Sequence, residues 1–452
     1  MIPPSTPWLE PLASWCASLD GDAMTPAVRG RIRDAALDWW GAFAAGTAHP
    51  LAPAYREALG GGTDPLAAAP LAAAISHLLE VDDGDRLAMM HPGVTVMPVV
   101  LALAQSLDLT AAEMRSAIVA GYEAGLRVGT LLGKDHYACC HVTATAGGFG
   151  AAAAACRALR LSPERTLWAF GHAGTQAAGL WEFLDDGAGA AKAFHPAAAV
   201  RNGIAAARLA RAGIPGAECI LEGPRGMLRA WGLSPAPDAV LAPGSEPWRI
   251  LTVTVKSWPV CGQMHSALDA LRDILHQIPV APFAVERVEI EGPKAQMDIA
   301  ARTEPATFEE AKFSTAFCAA FLLLEGSLDF ANFTPAALSR ADVRELAARI
   351  AVGENPALTA RFPAERPARV RIFMQDGRVL TAERAFRRGD PEAPWTFPEM
   401  VDRFDTIAAG LDRETRRAVI AWTKDLAEGN APQGRAVTGL FARIGTNCGE
   451  SS

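Results

Sequence analysis

Cysteine is sparse in this sequence, and the cysteines that occur are not arranged to bind metal. Eight of the 452 residues are cysteines, and no pair of them has CxxC or CxxH spacing. Such a chain does not depend on a disulfide framework, so we expect reduced thiols and a cytoplasmic location. The cysteines are Cys16, Cys139, Cys140, Cys156, Cys219, Cys261, Cys318 and Cys448.

Long apolar runs and an excess of positive charge are also missing. The apolar stretches, such as LAAAISHLL, are interrupted and rich in alanine, and the first 16 residues lack the basic and apolar regions of a signal peptide. We therefore expect no transmembrane helix and no secretory leader. The net charge of −8 disfavours general binding to nucleic acid or to an anionic membrane, so we expect neither as a partner.

The common cofactor and nucleophile motifs are absent too. The sequence has no GxGxxG after a strand pattern, no Walker A motif, no HExxH and no GxSxG. If the protein is an enzyme, these absences leave acid–base catalysis without a metal or an organic cofactor.

A helical pattern extends from residue 26 to about residue 250. Apolar residues recur there at spacings of three and four, and many segments are rich in alanine and glycine. Thr25 before Pro26, and Thr110 three residues before Glu113, have the spacing of helix N-termini. Several helices are apolar on nearly all faces, which favours a large buried bundle and a subunit interface.

Strand patterns begin near residue 250. Alternating β-branched residues predict strands in RILTVTVKSWPV (249–260), PFAVERVEIEGP (282–293) and ARVRIFMQDGRVLTAERAF (368–386), the last as a hairpin that turns at Asp376-Gly377. Helical patterns lie between these strands and resume from Phe397. The helical patterns between the strands cover 264–277, 308–326 and 334–353.

The length and these patterns together predict a mainly α fold with two domains. A chain of 452 residues is too long for one ordinary core. We expect a large discontinuous all-helical domain, formed by residues 1–254 and 396–452, with an inserted α+β lid domain at residues 255–395.

Titratable side chains gather in a few short segments. In EVDDGDRLAMMHPG, carboxylates beside His91 suit proton transfer, although a solvated loop explains them equally well. In HYACCHVTATAGG, His141 lies just before a predicted helix N-terminus, where an anion is favoured, although a single histidine is more often structural. The polar residues of these two segments are Glu80, Asp82, Asp83, Asp85, Arg86, His91, His136, Tyr137 and His141.

Three further segments carry lysines. Lys192 and His195 belong to a predicted glycine- and alanine-rich loop that leads into a helix, and a lysine in a dry pocket can move a proton or pair with a carboxylate. Lys256, Cys261 and His265 belong to a predicted strand-to-helix turn at a domain joint, which is a common ligand site. The third segment holds Lys312, Ser314 and Phe317, where apolar spacing favours core packing.

Five segments in this order resemble the MmgE/PrpD family, which includes 2-methylcitrate dehydratase, cis-aconitate decarboxylase and iminodisuccinate epimerase. The resemblance covers essentially the whole chain. The matching segments are LDWWGAFAAG, HLLEVDD…HPGVTVMPVVLALA, HYACCHVTATAGGFGAAAAA, GLWEFLDDGAGAAKAFHPAAAVRNG and KSWPVCGQMHSALDA.

The resemblance implies a homodimer that works without metal or cofactor on a small di- or tricarboxylate, or on its amino analogue. Members move a proton at a carbon next to a carboxylate, and dehydration, decarboxylation and epimerisation are variants of that step. The resemblance also places Cys261 where some decarboxylases have histidine and Phe317 where some have tyrosine, which argues against decarboxylation of cis-aconitate. We therefore expect a hydro-lyase of the 2-methylcitrate dehydratase type, with an iminodisuccinate-type epimerase or an inactive helical scaffold as alternatives.

The resemblance also assigns roles to individual residues. His91 matches the histidine of HPG, His141 that of HxT, Lys192 the lysine of KxxH, and Lys256 the lysine of KxYP. The expected catalytic residues are His141, Lys192, His91 and Tyr137. The expected substrate-binding residues are Lys256, Arg86, Asp83, Cys261 and His195.

Overall fold

The computed structural model describes residues 6–60, 62, 64–235, 241, 248–329 and 331–447. Cys448 lies outside them, and the seven described cysteines are free thiols. None of the helices in this part of the chain is long and apolar enough to cross a bilayer.

The described chain is mainly helical, with one small sheet, which confirms the predicted fold class. In chain order the helices are α1 (Glu10–Ser18), α2 (Pro26–Thr47), α3 (Ala52–Leu59), α4 (Pro65–His77), α5 (Gly93–Leu107), α6 (Ala111–Tyr137), α7 (Val142–Thr145), α8 (Gly147–Ala158), α9 (Pro163–Gly174), α10 (Glu182–Asp185), α11 (Phe194–Arg211), α12 (Met227–Ala230), α13 (His265–Gln277), α14 (Lys294–Ala300), α15 (Phe308–Ala311), α16 (Thr315–Glu325), α17 (Ala341–Ala347), α18 (Pro356–Thr359), α19 (Phe397–Ile407), α20 (Arg413–Glu428) and α21 (Gly434–Asn447). The strands are β1 (Val285–Gly292), β2 (Ile350–Glu354), β3 (Ala368–Met374) and β4 (Val379–Arg384).

The chain divides into two compact units. The first comprises residues 1–78, 82–253 and 396–452, and the second comprises residues 79–81 and 254–395. All four strands belong to the second unit, so the first is built from helices.

Small residues let the central helices of the first unit approach closely. α6 packs against α8, and a Cβ atom on Gly150 would lie 2.9 Å from the carbonyl oxygen of Gly121. The predicted helix starts are confirmed. Thr25 caps α2 by accepting from the Val28 amide, and Thr110 and Glu113 form a reciprocal capping box at α6.

The sheet of the second unit has the order β2-β1-β3-β4. β1 pairs in parallel with β2 and antiparallel with β3, and β3 pairs antiparallel with β4. The predicted hairpin is confirmed, with Gly377 at φ +85°, a conformation that suits glycine at a tight turn. α13 packs on β3 and β4.

Two predictions about the second half of the chain are wrong. Residues 249–260 form no strand of the sheet, and Arg249–Thr252 is a 3₁₀ turn. The Arg31 guanidinium donates hydrogen bonds to the carbonyl oxygens of Ile250 and Val253, and the Val255 amide donates to the carbonyl oxygen of Gly389. The three backbone groups bonded in this way are not available to a neighbouring strand.

The predicted helix over 334–353 is also only partly right. Its end forms β2, because Ile350 and the residues after it pair in parallel with β1 from Val288 onward. Pairing in the sheet overrides the helical spacing of this segment.

A buried ion pair stabilises the second unit. The Arg387 guanidinium lies 2.7 Å from Asp390, which also accepts from the Arg387 amide and from the Thr254 hydroxyl. Burial raises the pKa of Asp390, but the Arg387 charge and these hydrogen bonds outweigh it and lower the pKa to about 2. The ion pair therefore stabilises the fold fully above the pKa of an unfolded aspartate, and this stabilisation is lost as the pH falls toward 2.

We expect Asp390→Asn to destabilise the protein by about 3 kcal/mol at neutral pH, because it leaves the buried Arg387 charge without a counterion. The difference in unfolding free energy between the variant and the wild type should shrink between about pH 4 and pH 2, where the wild-type carboxylate takes up a proton. Urea unfolding at several pH values measures both effects. Asp298→Asn, which removes an exposed pair with Lys294, is the control and should cost little at any pH.

Candidate active site

Histidines from four segments meet inside the first unit. His77 is the last residue of α4, His91 lies two residues before α5, His141 precedes α7, and His195 is in the first turn of α11. The side chains of His77 and His141 are almost fully buried, each with 1% of the residue exposed.

The rings of three of these histidines form one cluster. The ring centroids of His77 and His91 are 4.8 Å apart, those of His77 and His141 are 5.8 Å apart with nearly parallel planes, and those of His91 and His141 are 6.1 Å apart. The Trp181 ring covers the His141 ring, with the two ring centroids 4.6 Å apart. Imidazoles from distant parts of the sequence therefore share one largely buried environment.

One carboxylate orients two of the imidazoles. The Asp82 Oδ2 atom lies 2.9 Å from Nδ1 of His77 and 3.0 Å from Nδ1 of His91. Nδ1 of His91 is also 2.7 Å from the Asp83 carbonyl oxygen. Because these oxygens accept hydrogen bonds, the Nδ1 atoms carry the protons and the Nε2 atoms carry the lone pairs.

His141 has a different partner. Its Nδ1 atom lies 2.9 Å from Nδ1 of His195, so a single proton lies between the two rings. Its buried Nε2 atom has no hydrogen-bond partner in the part of the chain that the structure describes. Burial lowers the pKa of His141 well below its usual value, and the charge of Lys192 lowers it further. Burial also lowers the pKa of His195, to about 4. Both rings are neutral at pH 7 and can accept a proton.

Lys192 brings a positive charge to this cluster. It lies in a 3₁₀ turn, Gly189–Ala193, that leads directly into α11, and 5% of the residue is exposed. Its charge contributes to the lowered pKa of both His141 and His195, which places the ammonium near the two rings. The expected loop is thus an ordered turn, and His195 lies in the helix rather than in the loop.

The backbone fixes the position of His141 from two sides. Its amide donates to the Gly179 carbonyl at 3.0 Å, and its carbonyl accepts from the Ala144 amide at 2.9 Å. A Cβ atom on Gly179 would lie 2.4 Å from Cβ of Ala144, so glycine permits this close approach. As predicted, His141 precedes a helix, but that helix is one turn long and the alanine-rich α8 begins separately.

Comparison with known proteins assigns the chain to a family. Residues 10–238 match the model of the MmgE/PrpD N-terminal domain, and residues 258–426 match that of the MmgE/PrpD C-terminal domain. The chain belongs to the MmgE/PrpD family. The two matches cover most of the sequence, which confirms the resemblance drawn from its motifs.

Curated relatives of this MmgE/PrpD protein have low sequence identity to it, but the alignments cover most of both chains. It is 24% identical over 386 residues to cis-aconitate decarboxylase of Aspergillus terreus, covering 80% of this chain and 77% of the relative. It is 27% identical over 378 residues to a cis-aconitate decarboxylase-like protein of Aspergillus oryzae, covering 77% and 76%. It is 25% identical over 371 residues to human cis-aconitate decarboxylase, covering 78% and 74%.

The acidic loop of this MmgE/PrpD protein is buried, not solvated. Both oxygens of Asp83 have partners within the protein, the Gly93 amide and the Tyr122 hydroxyl. Burial, with the nearby Asp38, raises the pKa of Asp83 to about 7. These bonds join Asp83 to α5 and α6, and its role in substrate binding stays a prediction. Arg86 is half-buried in the turn that Asp85 and Met90 close.

Tyr137 and His136 lie near the cluster in different ways. The half-buried Tyr137 ring packs edge-on against Trp181, the residue that covers His141. His136 hydrogen-bonds to Thr145 at 2.9 Å, and burial lowers its pKa to about 4. Tyr137 therefore remains a predicted participant, whereas His136 serves packing.

The second unit holds the remaining predicted residues. The Lys256 ammonium is buried and donates to the carbonyl oxygen and the carboxylate of Glu80, at 2.9 and 3.3 Å. The buried Cys261 amide donates to the Lys312 carbonyl. A 3₁₀ turn and α13 follow Cys261, so the predicted turn is present without its preceding strand. Phe317 is buried in α16, as its apolar spacing predicts.

His77 was missing from the residues expected to form the site. The signal was present in the sequence, because HLLEVDD separates His77 from Asp82 by five residues and a turn after a helix can bring such residues together. The sequence does not show where α4 ends, so it does not predict that the His77 side chain reaches Asp82.

Asp82→Asn should lower turnover about 10- to 100-fold, because an amide in place of the shared carboxylate no longer fixes both Nδ1 protons. ¹⁵N NMR of the imidazoles should show a mixture of tautomers at His77 and His91. Asp85→Asn is the control: it lies in the same loop but bonds to the Ala88 amide and the Thr252 hydroxyl. Unchanged tautomers in Asp82→Asn would contradict the positioning role.

Proposed function

We propose that this protein is a lyase that removes a proton from the carbon next to a carboxylate of a small di- or tricarboxylate. The observation that carries the proposal is the buried Nε2 atom of His141, which has no hydrogen-bond partner among the described residues, while Nδ1 of the same ring is hydrogen-bonded to His195. A buried nitrogen without a partner costs stability, so its retention favours a functional role. The names of the curated relatives, which act on a tricarboxylate, support this substrate class.

Lys192 supplies the charge that such a substrate requires. Its buried ammonium pairs with a substrate carboxylate and stabilises the enolate-like charge that develops when the proton leaves. The lowered pKa of His141 and of His195 keeps both imidazoles neutral at pH 7, so they are available as bases while Lys192 supplies the positive charge.

The proton step uses the two linked rings together. His141 accepts the substrate proton at Nε2, and the proton on its Nδ1 atom stays hydrogen-bonded to Nδ1 of His195. This bond stabilises the imidazolium that forms. The base is regenerated when the imidazolium returns its Nε2 proton to Lys192 or to solvent, so no ring has to move.

Dehydration completes this chemistry without a metal. The C–H electron pair forms the new carbon–carbon double bond, and the C–O bond to the β-hydroxyl breaks. The Lys192 ammonium donates a proton to the departing hydroxyl, so that water leaves, and regains a proton from the imidazolium or from solvent. Proton abstraction by His141 and donation by Lys192 balance over one turnover.

Decarboxylation is a second candidate, favoured by the names of the curated relatives. In that reaction CO₂ leaves, its bond electrons form the enolate-like intermediate, and a protonated group delivers a proton to carbon. An iminodisuccinate-type epimerase remains the alternative in which the proton returns to the opposite face of the same carbon.

NMR in D₂O separates these reactions. The purified protein is incubated with 2-methylcitrate, citrate, cis-aconitate and iminodisuccinate, one at a time. We expect loss of water from a hydroxy acid with formation of an alkene. Loss of CO₂ would assign a decarboxylase, and deuterium at the α carbon with no other change would assign an epimerase. If no substrate changes and none binds by calorimetry, the inactive-scaffold alternative replaces this proposal.

A further inference from the structure

The clustered imidazoles have the arrangement of a metal-binding site. His77, His91 and His141 each offer one ring nitrogen, and these three atoms lie within 4.8 Å of one another. We propose that these histidines bind one divalent transition-metal ion of the kind that prefers imidazole, such as Zn²⁺ or Co²⁺. This site goes beyond the metal-independent reaction proposed above.

The hydrogen bonds set the tautomers that a metal requires. Asp82 and the Asp83 carbonyl hold the Nδ1 protons of His77 and His91, which leaves the Nε2 lone pairs for a ligand. Metal-bound histidines commonly donate their second ring N–H to a carboxylate or a carbonyl, and this bond strengthens the ligating nitrogen. The Nε2 lone pair of His141 is likewise available when Nδ1 of His141 carries the proton that lies between this ring and His195.

Two ring nitrogens of this cluster lack a hydrogen-bond partner among the residues that the structure describes. They are the buried Nε2 atoms of His77 and His141, and each residue is 1% exposed. Buried ring nitrogens nearly always have a partner, so two orphaned nitrogens in one cluster point to a ligand. A single ion satisfies both, because it accepts lone pairs from several nitrogens at once.

Distances and charge fit a transition metal better than a hard cation. Zinc binds imidazole nitrogen at about 2.1 Å, which places tetrahedral ligand atoms about 3.4 Å apart. The three ring nitrogens lie within 4.8 Å of one another, so they need to approach by up to about 1.4 Å. Calcium and magnesium prefer oxygen ligands and are disfavoured here. The positive charge of Lys192 disfavours cation binding. The negative charge of the Asp82 carboxylate, which is bonded to two of the three rings, offsets this effect.

A functional consequence follows, and this part rests on the proposed function. His141 cannot accept a proton at Nε2 while that atom ligates a metal. Bound Zn²⁺ should therefore inhibit turnover, and a chelator should restore it. The three-histidine site would act as an inhibitory site rather than as a catalytic centre.

Titration of the metal-free protein tests the site without any substrate. We expect calorimetry with ZnCl₂ to show one ion bound per chain, and Co²⁺ to give the visible absorption of a tetrahedral complex. His77→Ala and His91→Ala should each weaken binding at least about tenfold. His77→Gln, which preserves volume, covers the case in which the alanine variant does not fold, and circular dichroism reports folding. His276→Ala, at an exposed position of α13, is the control and should bind as the wild type does.

The outcomes distinguish the two proposals. Absence of stoichiometric binding to the wild type, or unchanged affinity in folded His77→Gln and His91→Ala, overturns the metal site whatever the enzyme's activity. Stoichiometric binding at these histidines with undiminished turnover leaves the metal site intact and contradicts the role of His141 as the base.

Discussion

Replacing His141 with glutamine should lower turnover at least about 100-fold while leaving the thermal unfolding temperature nearly unchanged. The large effect on rate follows from the proposed role of Nε2, since glutamine has no basic nitrogen at that position. The effect on stability is small because Nε2 has no hydrogen-bond partner among the described residues, so only the bond between Nδ1 and His195 is lost. Steady-state kinetics with the substrate identified in D₂O, together with calorimetric unfolding, measures both quantities.

The matched control for this experiment is His172→Gln. His172 lies in α9 and its Nε2 atom bonds to the Ile214 carbonyl, outside the cluster. That variant should retain full turnover. A His141→Gln protein as active as the wild type would show that the proton is taken elsewhere. A loss of activity that is matched by unfolding would mean that His141 serves the fold.

The helices of the first unit were predictable because local signals and tertiary packing agree. The capping residues Thr25 and Thr110 start α2 and α6 as the sequence indicates, and the spacing of apolar residues continues through both. Where local and tertiary signals disagree, prediction fails. Residues 249–260 have strand composition but their backbone bonds to Arg31 and Gly389, and neither partner can be inferred from the segment itself.

Many residues of the candidate site could be predicted from the sequence, but their arrangement could not. Family motifs identified His91, His141 and Lys192, and the structure places these three in one unit with His195. The shared proton between His141 and His195 was not foreseen, because 54 residues separate them and only the packing of α7 against α11 brings them together. Burial of the acidic loop could not be predicted from the sequence either, because its charged residues are also typical of a surface turn.

Lys192→Met should lower kcat at least about 100-fold and raise KM, because methionine preserves the shape of the side chain but removes its charge and its proton. The fold should tolerate the change. Only 5% of Lys192 is exposed, and methionine fills the buried space of the lysine stem. Binding of a tricarboxylate, measured by calorimetry, should weaken in parallel with the rise in KM.

Lys424→Met is the control, since Lys424 lies exposed on α20 beside Phe397. It should match the wild type in rate, binding and stability. If Lys192→Met binds the tricarboxylate normally but loses kcat, the ammonium acts as the acid and not as the anchor. If both binding and kcat are retained, neither role holds, and the charge that a carboxylate substrate needs must come from another residue.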